Sequence, residues 1–333
     1  MTNQLKARIV GMGSYVPAKV LSNFDLEKMV DTNDEWIVTR TGIRERRIAS
    51  AEEWTSYMGT KAAEIAIQES GIAKDVIELV LVATMTPDFV TPSTAAIIQK
   101  ELGLPTVPAF DMQAACTGFI YALSMAKAYV NSGLYKNVLV VASEKMSTVV
   151  DYTDRNTCIL FGDGASAAVV SNKGKGLEIG EIDLGADGAL AELLFLPAGG
   201  SRAPATKETV EGKQHYVSLS GREVFKHAVR KMASSAEECL KKAGLQQTDL
   251  AWLVPHQANE RIIDAVAKGL DFPSEKIYKT VHKYGNTSAS AVAIALDELN
   301  RSHSIKTGEH ILLVAFGAGL TWGGVILTAV EDV

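Results

Sequence analysis

Residues 107–143 read VPAFDMQAACTGFIYALSMAKAYVNSGLYKNVLVVAS. VPAFDMQ (107–113) reads as a strand, CTGFIYALSMAKAYVNSG (116–133) as a long apolar helix closed by Gly133, and NVLVVAS (137–143) as the next strand. Upstream, residues 77–84 read as a buried strand and STAAIIQKEL (93–102) as a helix with Ser93 as its N-cap. GTKAAEIAIQESG (59–71) is an amphipathic helix. Strand and helix alternate throughout, which implies an α/β fold with parallel or mixed sheets.

The second half repeats this order. GREVFKHAVRKMASSAEECLKKAG (221–244) is another amphipathic helix, and DLAWLVPHQA (249–258) matches VIELVLVATM (76–85) in type. KTVHKYGNTSASAVAIALDEL (279–299) resembles the opening passage: a strand, a turn of small residues, an apolar helix. The pattern predicts two related halves, residues 1–172 and 173–333, with Cys116 and Asn286 at equivalent helix starts. Residues 173–215 are Gly-rich, lack that order and read as a connector with loops.

The chain has 333 residues, enough for about two domains or one large duplicated one. Hydrophobic residues at 47% and charged residues at 22% exclude a mainly disordered or collagen-like chain. A net charge of −6 argues against non-specific nucleic-acid binding. Residues 311–330 carry no charge and are long enough to span a bilayer, but Gly317, Gly319, Gly323 and Gly324 break them into two β-rich pieces. The expectation is two buried strands joined by a tight loop, and no membrane partner. The N-terminal stretch lacks a signal peptide's continuous apolar region, and three scattered cysteines without zinc spacing fit a reducing compartment. A cytoplasmic protein without a metal is expected.

Cys116 lies between a strand and a helix, where the helix dipole and free N–H groups favour thiolate over thiol. Cys158, in a strand-like pattern, and Cys239, in a helical one, read as core. His256 follows a buried strand, where sites collect in α/β proteins, and His282 is its main competitor. Asn286 taken alone reads as a helix N-cap. Together Cys116, His256 and Asn286 form a Cys-His-Asn set, which papain-like proteases carry in the same order. The C-G-S/A-C-W/Y protease signature is absent, and strand–helix duplication does not suit that fold.

AACTGFIYALS, DRNTCILFGDGASAA, GREVFK, VPHQANERII, KYGNTSAS, FGAGLTWG and DEWIVTRTGIRERRIA together resemble the β-ketoacyl-acyl-carrier-protein synthase III family, from about residue 7 to 330. The resemblance implies a thiolase-like fold, with two duplicated α/β halves in a five-layer α-β-α-β-α stack, usually as a homodimer. It implies acyl transfer from acyl-CoA to Cys116, then decarboxylation of malonyl-acyl-carrier protein and condensation, with no cofactor because CoA thioester is a substrate. A related condensing enzyme with another product, such as a polyketide precursor, uses the same three residues. By resemblance, His256 and Asn286 donate to the malonyl thioester oxygen, and the backbone N–H groups of Cys116 and Ala318 form the oxyanion hole.

The CoA-binding positions carry over as Trp36 and Arg155 around the adenine ring, Thr32 and Arg40 beside the nucleotide, and Asn259, Gly221 and Phe225 along the pantetheine tunnel. Lys226, Arg261 and Lys268 match a basic patch for the acidic carrier protein. Two departures stand out. The familiar Gly-Gly-Gly loop is Gly317-Ala318-Gly319, which predicts negative φ at Ala318. Thr91 replaces a phenylalanine that in many relatives closes the acyl pocket from the partner subunit, which predicts a roomier pocket unless Phe89 fills it.

Overall fold

Among the described residues, nine strands form one continuous mixed sheet: β1 (Arg8–Tyr15), β2 (Leu79–Ala83), β3 (Ala109–Met112), β4 (Asn137–Glu144), β5 (Gly164–Ser171), β6 (Gly176–Ala186), β7 (Leu250–Pro255), β8 (His310–Gly317) and β9 (Thr321–Val330). Their spatial order is β7-β8-β9-β6-β1-β5-β4-β2-β3. The structure is a computed structural model and describes residues 5–332. The helices that matter here are α1 (Asp34–Thr41), α2 (Thr55–Ser70), α3 (Thr94–Glu101), α4 (Gly118–Asn131), α5 (Gly221–Ala243), α6 (Glu260–Gly269) and α7 (Ser290–Ser302).

The period-two alternation of strand side chains turns this sheet into layers. In β2, Leu79, Leu81 and Ala83 face one core while Val80 and Val82 face another. In β8, Ile311, Leu313 and Ala315 join the first core, and Leu312, Val314 and Phe316 a third. The shared middle core belongs to α4 and α7, through Phe119, Ile120, Leu123, Val292 and Leu296. Helices α2 and α3 cover one outer face, and α5 and α6 the other. The layer order is therefore helix, sheet, helix, sheet, helix, as the family resemblance implies. The sheet passes around the middle layer where β1 pairs with β6 through Arg8–Glu178 and Ile9–Leu177.

The strands around β2, β3, β4, β8 and β9 stand where the sequence places them, and Ser93 caps α3 by accepting from Ala96 N–H. The run 311–330 forms the antiparallel pair β8–β9. Among the described residues no helix is long and apolar enough to cross a membrane. Three expectations are corrected. The stretch 173–215 contains β6, which pairs along β9 from Gly176 to Ala186, so it is not merely a connector. The strand expected before Asn286 is reduced to a parallel bridge between Leu253 and Ile277, and Val281–Tyr284 forms a helical turn. Cys158 is buried in a turn rather than a strand.

Leu123 is fully buried in the middle layer. Leu123→Ala should cost about 2–5 kcal/mol through lost transfer energy and a residual cavity, read as a lower chemical-denaturation midpoint at unchanged slope. A loss below about 1 kcal/mol would contradict the layer assignment.

Candidate active site

Cys116 lies in a 3₁₀ turn that enters α4, and only 7% of it is exposed. The residue before it, Ala115, has φ 45°, a left-handed conformation that turns the chain sharply between β3 and α4. Thr117 hydroxyl donates to Ala114 carbonyl at 2.6 Å and lies 2.7 Å from Thr321 hydroxyl, which ties this turn to the start of β9. Asn286 and Ser288 precede α7, and Ser288 has φ 53°. The two helices begin side by side, since a Cβ on Gly118 would touch both Ala83 and Ala289. The equivalence expected for Cys116 and Asn286 is loose, because Asn286 sits farther upstream of its helix than Cys116 does.

Asn286 is fixed through its backbone: its N–H donates to Leu160 carbonyl at 2.8 Å and its carbonyl accepts from Gly162 N–H at 3.1 Å. Its side-chain oxygen accepts from Ser288 N–H at 2.8 Å. The amide nitrogen remains for another partner, and the Asn286 side chain favours the ionised form of the Cys116 sulfur. The thiol donates to Ser288 hydroxyl at 3.8 Å.

His256 follows β7, and its N–H donates to Val314 carbonyl on β8 at 2.7 Å. Gly317, at the end of β8, touches the Cys116 backbone. His256 is thus one strand over, ~5 Å, and a few residues' rise, ~3.3 Å each, from the cysteine turn. The next residue, Gln257, holds the local geometry. Its amide donates to Pro255 and Tyr278 carbonyls at 2.6 and 3.2 Å, and its oxygen accepts from Thr280 and Val281 N–H at 2.7 and 3.0 Å. His282 is only half-buried and is not part of this arrangement.

Burial decides the protonation states. It pushes the Cys116 thiol up to about 12; bonds from Ser288, Asn286 and the cysteine's own N–H oppose it, and the Glu144 charge pushes the same way. The ionised resting thiol expected from the helix dipole is therefore corrected to a neutral thiol. Burial also brings His256 down to about 3, leaving a neutral imidazole. Among the described residues, neither buried ring nitrogen has a hydrogen-bond partner. A neutral imidazole has one N–H and one free lone pair, and here both are available to a ligand.

The Gly317-Ala318-Gly319 loop assigns a different job to each residue. A Cβ at 317 would stand 2.7 Å from Cys116 N, and Gly319 has φ 135°. Ala318 is not among the residues with positive φ, as expected. Alanine is therefore tolerated only at the middle position.

The positions carried over for CoA lie along one rim. Arg155 and Arg40 guanidinium carbons stand 4.5 and 5.5 Å from the Trp36 ring centre. Arg155 also donates to Asp31 carbonyl at 3.0 Å. A ring sandwiched between Trp36 and Arg155 needs about 3.5 Å on each side, so Arg155 must lift off the indole to admit one. Thr32 hydroxyl is buried without a partner. Asn259 caps α6 by accepting from Arg261 N–H at 2.9 Å, and its amide donates to Arg40 carbonyl at 3.1 Å. Phe225 is half-buried beneath Arg261, 5.9 Å from its guanidinium carbon, and Gly221 opens α5 with free space beside it.

Lys226, Arg261 and Lys268 are exposed on α5 and α6, with Lys226 paired to Glu223 at 2.8 Å. Thr91 is exposed, as are Phe89 and Val90, so Phe89 fills no pocket within its own subunit.

Two polar residues at the cysteine escaped sequence reasoning. Glu144 is fully buried at the end of β4, and Ser288 hydroxyl donates to it at 3.1 Å. The available signal was a lone carboxylate closing an otherwise apolar strand, NVLVVASE. No group of three His, Cys, Asp or Glu that could hold a metal occurs among the described residues.

The sequence profile of 3-oxoacyl-[acyl-carrier-protein (ACP)] synthase III matches residues 110–188, and its C-terminal counterpart matches residues 240–329. The beta-ketoacyl-[acyl-carrier-protein] synthase III of Chlamydia caviae is 59% identical over 327 residues, covering 98% of both chains. The chain belongs to the β-ketoacyl-[acyl-carrier-protein] synthase III family. Among solved structures of this family, that from Aquifex aeolicus is 46% identical with a TM-score of 0.89, covering 97% of this chain and 99% of its own. The Thermus thermophilus structure is 43% identical with a TM-score of 0.90, covering 98% of this chain and 100% of its own.

Gly317→Ala should force the loop away from Cys116, costing about 1–3 kcal/mol and slowing acylation of Cys116 by at least about tenfold. Thermal melting and timed intact-protein mass spectrometry check this. Unchanged stability and rate would show that the loop is not seated on the cysteine turn.

Proposed function

We propose that Cys116, His256 and Asn286 are the reaction centre of an acyl-CoA-primed condensation. The chain is a condensing acyltransferase that initiates fatty-acid synthesis. The observation that supports this reading is a buried imidazole with both ring nitrogens unpartnered, held neutral by burial, at the end of the strand beside the one whose end meets the Cys116 turn. In the first stage, Cys116 sulfur attacks the acyl-CoA thioester carbon and CoA departs. Sulfur serves both stages because it is a good nucleophile and a good leaving group. In the second stage malonyl-acyl-carrier protein loses CO2, and negative charge develops on its thioester oxygen. His256 N–H and Asn286 amide hold that oxygen. The enolate carbon then attacks the acyl-cysteine, the Cys116 and Ala318 N–H groups receive the tetrahedral oxyanion, and 3-oxoacyl-carrier protein leaves.

The rim of Thr32, Trp36, Arg40, Arg155, Gly221, Phe225 and Asn259 takes the CoA moiety. The exposed cations Lys226, Arg261 and Lys268 meet the acidic carrier protein, giving an overall anionic enzyme a local patch for steering. The enzyme works without a cofactor, in the cytoplasm, where three free cysteines are stable. Residues 1–172 and 173–333 are its two halves, divided between β5 and β6.

The enzyme acts as a homodimer. Strand β3 ends the sheet with one edge unpaired, and Phe89 and Val90 project close by, on the loop before α3, whose first N–H groups are held by Asp111 of β3. An open edge beside exposed apolar groups favours pairing with a second copy. Thr91 then reaches the partner's acyl pocket.

Cys116→Ala should abolish acyl transfer and retain some malonyl decarboxylation. His256→Ala and Asn286→Ala should each slow decarboxylation by about 10²–10³, with acyl-Cys116 still seen by mass spectrometry. Loss of acylation alone in Asn286→Ala would overturn its role.

Across an acyl-CoA series, kcat/KM should stay high beyond acetyl because Thr91 is small, and Thr91→Phe should narrow the range. A sharp acetyl preference in the unmodified enzyme would contradict this.

A further inference from the structure

The first stage leaves one proton unassigned. The resting sulfur is a thiol, so its proton must go somewhere as the new carbon–sulfur bond forms. The Cys116 thiol donates to Ser288 hydroxyl at 3.8 Å, and that hydroxyl donates to Glu144 Oε1 at 3.1 Å. The donors and acceptors point one way, from sulfur to carboxylate.

The other bonds of Glu144 leave that route open. Its Oε2 accepts from Thr84 hydroxyl at 3.1 Å, from Thr86 N–H at 3.2 Å and from Thr86 hydroxyl at 2.6 Å. Met85 N–H is shared between both oxygens at 3.2 and 3.1 Å. The Thr84–Thr86 turn thus crowds Oε2 with donors, while Oε1 faces Ser288. A carboxylate needed only to tie β4 to that turn has no use for a hydroxyl contributed by the other half of the chain, beside the nucleophile.

We propose that Glu144 takes the Cys116 thiol proton through Ser288 hydroxyl as the sulfur attacks the acyl-CoA thioester, and returns it to the departing CoA. The sulfur–hydrogen bond breaks as carbon–sulfur forms. Ser288 oxygen receives that proton and passes its own to Oε1. When the tetrahedral intermediate collapses, the carbon–sulfur bond to CoA breaks and the proton travels back through the same hydroxyl. One hydroxyl reaches both sulfurs because both are then bonded to one carbon. Acyl-CoA and thiol thus become acyl-cysteine and CoA thiol with atoms and charge balanced. Glu144 acts through Ser288 and is a positioning residue. The proposal rests on the acyl-CoA reading above.

Burial holds Glu144 up at about 7, with the Thr86, Met85, Ser288 and Thr84 bonds opposing it, so near neutral pH it passes between acceptor and protonated forms. The groups facing it are the hydroxyls of Thr84, Thr86 and Ser288, the Met85 N–H and the titratable Cys116 thiol. His256, brought down to about 3, cannot produce a rate change near 7.

The test is rapid-quench mass spectrometry of acyl-Cys116 formation from acetyl-CoA and longer acyl-CoAs between pH 5.5 and 8.5. The enzymes compared are the unmodified protein, Glu144→Gln and Ser288→Gly. Glycine suits the positive φ at 288 and leaves the Glu144 bonds to Thr84, Met85 and Thr86 in place. Melting curves confirm folding. The expected result is an unmodified rate that falls about tenfold per pH unit below about 7. Both variants should be slower by about 10² near pH 8, with malonyl decarboxylation retained, and their rates should keep rising through pH 8.5 without levelling near 7, because residual attack then waits on ionisation of a thiol held up at about 12. Unmodified rates in Ser288→Gly, or slowed rates in both variants that still level off near pH 7, would overturn the relay. If no acyl-CoA acylates the unmodified enzyme, the functional reading falls first, and the relay with it.

Discussion

Exclusion of water from the layer between the two sheet halves is the constraint on which the site depends. Helices α4 and α7 are apolar nearly all round because sheet covers them on both sides. Their first turns therefore bring polar groups into a dry place. There the thiol stays protonated, the imidazole stays neutral and the Glu144 carboxyl is held high, each for the same reason: a charge costs more where water cannot solvate it. A neutral imidazole is a directed hydrogen-bond donor, which suits an oxygen that gains charge only as CO2 leaves.

The backbone gives up conformational freedom to assemble this site. Ala115 and Ser288 both sit in the left-handed region, where a side chain is disfavoured by roughly 1–2 kcal/mol. Each places a functional group at a helix start. Gly317 allows the β8 end to touch Cys116 N, and Gln257 fastens the His256 strand end to the loop that leads toward Asn286. Arg46 extends the framework: it is fully buried, and its guanidinium donates to Asn23 side chain and to Ile159 carbonyl, next to the segment that holds Asn286. Both halves of the chain therefore contribute to the surroundings of Cys116.

Much of this was legible in the sequence where periodicity or residue chemistry was strong. The buried strands showed as apolar runs, the middle helices as apolar segments beginning at small residues, and the break at Gly317-Ala318-Gly319 as a tight loop. Strand β6 was hidden because Gly180, Gly185 and its charged residues dilute the alternation. Glu144 was hidden because a glutamate ending a strand reads as solvated until the turn at Thr84–Thr86 folds over it. The state of Cys116 was misread because a helix start is visible in sequence, whereas the two sheets that bury it are brought together only by the fold. The direct stacking of Arg155 on Trp36 was not legible, because the two lie far apart in sequence and only the fold brings them together.

The charge on His256 tests this account most directly. NMR of the protein labelled with nitrogen-15 at histidine, followed from pH 8 to pH 5, should show the His256 ring uncharged throughout, in keeping with a value of about 3. A ring that titrates with a midpoint near 6.5, the ordinary histidine range, would mean that water or a charged partner reaches it and that His256 is not shielded from water.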